Sequence, residues 1–189
     1  MNKITAITIL VLGLYFTHAQ NGMTGIYINS DDFINGKITY AGKNTRLKLH
    51  ELFEKDHLEV VYKDSTFSYL KKDVFGYIDR EGLTYRFYDN SIYPILNPYE
   101  SILVYKKTSG TGMKNSPIVE SYFFSKDAGS LMQPLTLENL ERAFSTDKVF
   151  TDILEIYFKN NDDLAEYDSV HKMYKINRLL EISNHEKNN

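Results

Sequence analysis

From Gly25 to about Pro134 the chain runs in short stretches of β-branched and aromatic residues, broken by turn-forming residues every eight to twelve positions. This is the pattern of an antiparallel sheet. It predicts strands over 25–28, 45–49, 58–63, 67–70, 74–78, 83–88, 92–96, 102–106 and 118–124. Asp64-Ser65, Asp79-Arg80-Glu81-Gly82, Asp89-Asn90-Ser91 and Asn97-Pro98-Tyr99-Glu100 supply connections of hairpin length. Thr84 to Tyr88 alternates, with Tyr85 and Phe87 on one face and Thr84, Arg86 and Tyr88 on the other, so one side is expected buried and the other half wet. Ile102-Leu103-Val104-Tyr105 does not alternate and reads as a central strand covered on both faces.

Two parts of the pattern are helical. Ser30 to Gly36 reads as one capped turn, with Ser30 or Asp31 as N-cap and Gly36 beyond its end. Asp31 and Asp32 there invite an acid/base or metal reading, but carboxylates at a helix start satisfy orphan amides and suit the macrodipole. After Pro134 the period lengthens from two to 3.6. Thr136 caps a helix with Leu137, Leu140 and Phe144 on one face, and Asp147 opens a second with Phe150, Ile153, Leu154, Tyr157 and Phe158 inward, closed by Asn160-Asn161. A third is expected from about Ser169 to Ile182, buried through Val170, Met173, Tyr174, Ile176, Leu179 and Leu180. The tail 184–189 is polar and expected to fray. The fold class is thus α+β: an antiparallel twisted sheet or partly open β-barrel over 22–134, then about three C-terminal helices over 135–183 packed on the sheet as its cover.

The first residues follow neither pattern. Lys3 precedes thirteen mostly apolar residues, Ile4 to Phe16, and Thr17-His18-Ala19 follows, which fits a secretory signal peptide over 1–19 cut between Ala19 and Gln20. Thirteen helical residues rise only ~20 Å, short of the ~30 Å apolar core of a bilayer. No later run is long and apolar enough to span a membrane, so none is expected in the mature form. The expected location is periplasmic or secreted. Loss of Lys3 takes the formal charge from −3 to −4. A nucleic-acid partner is not expected, because phosphate backbones call for a clustered excess of basic residues. The pairs Lys71-Lys72 and Lys106-Lys107 read instead as solvated charges at strand ends. The chain has no cysteine, so it offers neither disulfide, thiolate metal site nor lipid-accepting thiol.

Candidate chemistry is sparse. His50-Glu51-Leu52-Phe53-Glu54 begins like a zinc-protease helix but has Glu54 where the second histidine belongs. A variant site of His50, Glu54 and His57 would need one continuous helix, whereas Leu47 and Leu49 alternate like a strand. His171 lies near Asp168, a spacing that suits a surface charge pair, and His50, His57, His171 and His185 do not read as a metal-ligand set. Ser68-Tyr69-Leu70-Lys71 and Ser169-Val170-His171-Lys172 match S-x-x-K, and Lys107-Thr108-Ser109-Gly110 resembles a stretched K-T-G. On a strand, however, Ser68 and Lys71 point to opposite faces. No catalytic, metal or cofactor-binding residues are therefore assigned. Tyr62, Tyr69, Tyr77, Tyr85, Tyr88, Tyr93 and Tyr105 all fall on predicted strands, either as cross-strand packing or as an outer platform for a glycan or peptide.

Gly25-Ile26-Tyr27, Asp32-Phe33, Asn35-Gly36-Lys37, 71–77 and Tyr85-Arg86-Phe87-Tyr88 together resemble a group of exported Bacteroidota proteins with no assigned activity. Leu135 to Leu140 and His171 to Leu180 resemble the helical tail of some members. The resemblance covers most of the mature chain and implies export and a shared architecture. The function expected is that of a non-catalytic envelope or secreted protein binding a protein, peptide or glycan through the sheet face or the loop Ser109 to Pro117, without a cofactor. The alternatives are a small hydrolase in which His50, His57 or His171 meets a carboxylate in a pocket, and a structural subunit of a surface assembly.

Overall fold

The computed structural model describes residues 22–50, 55–109 and 118–187. The leader with Ala19 and Gln20, residue Glu54 and positions 110–117 lie outside the described residues. In chain order come β1 (Thr24–Tyr27), α1 (Ser30–Ile34), β2 (Thr39–Gly42), β3 (Arg46–Lys48), β4 (His57–Tyr62) and β5 (Ser65–Leu70). A 3-10 turn (Lys71–Asp73) leads to β6 (Gly76–Ile78), β7 (Thr84–Tyr88), β8 (Ser91–Pro94), β9 (Leu103–Ser109), β10 (Val119–Ser125) and β11 (Gln133–Pro134). The chain ends with α2 (Leu137–Ala143), α3 (Lys148–Tyr157), the short strands β12 (Tyr167–Asp168) and β13 (Met173–Tyr174), and α4 (Lys175–Lys187).

The class is α+β, with antiparallel sheet first and helices last. The strands form several sheets rather than one and close no barrel: β2-β1-β6-β7-β8, β3-β4-β5, β11-β10-β9 and β12-β13. An isolated bridge between Ile95 and Tyr105 ties the first to the third. Two hairpins are set by residue pairs with positive φ, Lys63-Asp64 between β4 and β5 and Asp89-Asn90 between β7 and β8, which matches the twist of two-residue turns. Gly76 lets β6 lie close to β7, since a Cβ there would sit 1.9 Å from the Tyr85 carbonyl oxygen.

The largest sheet is covered on both faces. Ile26, Tyr77 and Phe87 pack against Leu58 and Val60 of the β3-β4-β5 sheet. Tyr27, Ile78 and Tyr93 face the other way, onto Phe33 of α1, Leu103, Tyr105 and Met132. A third cluster lies between Ile102, Val104 and Phe124 and the helices, through Leu140, Phe150, Leu154, Ile176 and Leu179. The run Ile102 to Tyr105 is buried on both faces as its composition predicts, even residues against helices and odd ones against the β core.

Several local expectations are corrected. The cap of α1 is Asn29, whose side chain accepts from the Asp32 N–H at 2.8 Å, one residue before Ser30. Asp32 is buried and accepts from Lys37 at 2.8 Å. Thr136 and Asp147 cap α2 and α3 as expected, but Tyr157 is exposed. The last helix starts at Lys175. Asp168 accepts from the backbone N–H groups of Val170 and His171 and Lys172 has φ 56°, so 169–172 is the turn of the β12-β13 hairpin and Val170 is 82% exposed. Helix α4 continues to Lys187 instead of fraying at 184. Ser183 is fully buried on it, and Lys187 pairs with Asp147. Among strands, β2 and β11 were not expected.

Candidate functional site

Strand β7 divides its side chains between two cores. Phe87 joins the cluster beneath the β3-β4-β5 sheet. Arg86 takes the opposite face, expected to be half wet, yet it is only 8% exposed. The reason is long-range: β9, β10 and the 125–132 segment lie over that face, and a strand's own alternation carries no information about what covers it.

The guanidinium sits in a polar and aromatic cage. Its Nη1 donates to the Tyr105 hydroxyl at 2.8 Å and to Ser125 Oγ at 3.2 Å, and Nη2 donates to the Ser130 carbonyl at 2.9 Å. Its carbon lies 5.1 Å from the Phe75 ring centre and 5.7 Å from those of Tyr88 and Tyr105, within cation–π range. Ser125 Oγ donates onward to the Asp127 carbonyl at 2.7 Å, so the 2.8 Å contact between Tyr105 and Ser125 has the tyrosine as donor. Burial pushes the Tyr105 hydroxyl above its ordinary range against the pull of the Arg86 charge, keeping that donor protonated. Among the described residues no carboxylate forms an ion pair with Arg86. Of its five N–H donors, Nε–H and one on Nη2 have no protein partner among those residues.

Arg86 lines a cavity of about 460 Å³ where α1, the 3-10 turn, the end of the β7-β8 hairpin and Ala128-Gly129 meet. Its charged lining is Lys71, Lys72 and Arg86 against Asp73 and Asp89. A neighbouring cavity of about 530 Å³ shares Lys71 and Asn90 with it. Lys55, Lys106 and Lys107 complete the cationic lining there, and among the described residues no carboxylate lines it. Lys106 pairs with Glu120, and the Lys107 ammonium stands 5.3 Å over the Tyr93 ring. The two basic pairs read as solvated edge charges therefore converge on adjoining cavities. Lys71 is not solvated at all: it is 1% exposed, its ammonium 5.9 Å from the Phe87 ring centre.

The other sequence candidates are dispersed. His50 follows β3, with Nε2 buried and 3.8 Å from Glu59. His57 opens β4 and pairs with Asp56 at 2.9 Å, so no continuous helix joins it to His50. Among the described residues no group of three His, Asp or Glu side chains is arranged to hold a metal. Ser68 is exposed on β5, whereas Lys71 opens the 3-10 turn and is buried. The His171 Nδ1 lies 2.6 Å from Asp168, and both line a cavity of about 360 Å³ beside α4 whose lining holds no serine, threonine or cysteine. None of the seven strand tyrosines is exposed; Tyr77, Tyr93 and Tyr105 are buried, and Tyr77 stacks on its cross-strand neighbour Tyr85 at 4.6 Å. They form no outer platform.

Arg86 and Lys71 were missed as site residues. The available signal was a basic residue in two of the lining segments, 71–75 and 86–90, but with 28–30 and 128–129 the lining is too scattered for any motif. Comparison with family models, curated proteins and solved structures finds no match for this chain.

Proposed function

We propose that this chain is an exported, non-catalytic binding protein of the cell envelope or secretome, and that its binding site is the cavity lined by Arg86. The observation that supports the reading is a buried guanidinium with two unspent donors beside a cavity. Because these donors are not among the buried unpartnered atoms, they are open to something entering the cavity, and a pocket with a few fixed polar groups is the usual form of a small-ligand site. Among the described residues the cavity lining has no histidine to act as base. Export rests on the leader pattern.

The test is native mass spectrometry of protein recovered from the producing cells' envelope and medium, for the wild type and Gly129→Leu. A Cβ at Gly129 meets only Asp127 Oδ1 at 3.5 Å and Ser30 Oγ at 3.8 Å, ordinary contacts, so the backbone admits a side chain at this position of the cavity lining. A bound species carried by the wild type and lost in the variant supports the reading, as does a mature N-terminus at Gln20. Wild-type protein recovered bare, or beginning at Met1, refutes it.

A second reading has its own observation, the His171-Asp168 pair in the cavity beside α4. It would act as a base on water in a hydrolase. Hydrolysis of an ester panel that is abolished by His171→Gln supports that reading, and activity unchanged by the substitution eliminates it.

A further inference from the structure

We infer that the two adjoining cavities form one site for a small polyanion, in which Arg86 takes one carboxylate or phosphate group and Lys106 and Lys107 take another. This rests on the binding reading above and names the chemistry of its ligand.

Three observations carry it. Arg86 is buried with a fixed orientation, its Nη1 donors consumed by Tyr105 and Ser125, and the donors left over, Nε–H and one Nη2–H, are the kind that meet an oxyanion. No protein carboxylate has taken that role among the described residues. The cage that does surround the charge is made of rings and neutral oxygens, which hold a cation without neutralising it.

The second cavity sets the valence. Among the described residues its charged lining is four lysines, of which Lys106 also pairs with Glu120, on a chain whose net charge is −3. The negative charge lies elsewhere: positions 135–189 hold eleven acidic and seven basic residues, while 22–134 hold fourteen of each. A ligand with a single anionic group would meet Arg86 and leave the second cavity empty. One with two or three groups reaches both, passing Lys71 and Asn90 where the cavities meet.

The experiment is titration of the full-length mature protein, at constant ionic strength, with acetate and inorganic phosphate as monovalent-site probes and citrate and tripolyphosphate as polyvalent ones. The readouts are the Arg86 Nε–H and Gly129 amide resonances and the midpoint of thermal unfolding. Citrate or tripolyphosphate should bind at least about tenfold more tightly than acetate or phosphate. Gly129→Leu should abolish binding of all four. Lys106→Gln with Lys107→Gln should remove the polyvalent advantage. Citrate against tripolyphosphate decides between carboxylate and phosphate. Equal affinity for monovalent and polyvalent probes, or no saturable shift with any probe, overturns the inference. A neutral species that co-purifies and is lost in Gly129→Leu would overturn it while leaving the binding reading standing.

Discussion

The two faces of β9 make a comparison within seven residues. Toward the helices, Ile102 and Val104 enter an apolar cluster, with the buried Asn177 amide held on the Ile102 backbone. Toward the sheet, Leu103 and Tyr105 enter a core that also contains a charged guanidinium and a chain of hydroxyls running from Arg86 through Tyr105 and Ser125 to the Asp127 carbonyl. The first is a closed interior whose role is stability. The second keeps a guanidinium that lines a cavity. One backbone serves both because adjacent side chains on a strand point to opposite sides.

The comparison breaks first at the apolar side. Leu154→Ala, on α3 and fully buried, should lower the unfolding free energy by about 2–5 kcal/mol in a denaturant titration. Next is Asn177→Leu. The Asn177 side chain accepts from the Ile102 N–H at 2.8 Å and donates to the Ile102 carbonyl at 2.9 Å, and leaving such a buried group unmade costs about 1–3 kcal/mol. Arg86→Met is the sharpening case. The chain from Tyr105 through Ser125 to the Asp127 carbonyl stays closed without it, while the Tyr105 oxygen and the Ser130 carbonyl lose their donor, so the loss should stay at about 1–2 kcal/mol. A fall as large as that of Leu154→Ala would make the cation structural and erase the contrast.

Asp147→Ala should cost about 1 kcal/mol through the lost α3 cap, with a pH signature. Burial works against the Asp147 carboxylate, but the hydrogen bonds from Lys187 and the Phe150 N–H outweigh it and hold its pKa below the usual range. The stabilisation is therefore full above the unfolded value of about 4 and disappears as pH falls through the lower folded value. Denaturation midpoints of the variant and wild type should converge below about pH 4. Smallest of all, Val170→Ser should move stability by less than about 0.5 kcal/mol, since the residue is exposed at a hairpin turn.

Much of this was legible in the chain because local rules govern it. The β-branched runs, the turn pairs, the caps at Thr136 and Asp147 and the doubly apolar 102–105 run each announce their element. What failed was set by distant partners or by competing local chemistry. Thr39–Gly42 has no apolar alternation and is a strand because it pairs with β1. Val170, Met173 and Tyr174 are spaced like a helix face, but Asp168 captures the amides of 170 and 171 first and folds a turn. Arg86 was put on the correct face and given the wrong environment, since its cover comes from 39 to 44 residues further along. Lys71-Lys72 and Lys106-Lys107 were visible as pairs; their convergence is a property of the topology.

The amide of Asn177 holds both backbone groups of Ile102 from 75 residues away. The start of the most deeply enclosed strand is thus completed by a side chain from the final helix. A nascent chain cut short before 175 would have every strand but an unfinished centre, with one edge still seeking donors and acceptors. Such a molecule closes late, when nearly all of its length has become available to it.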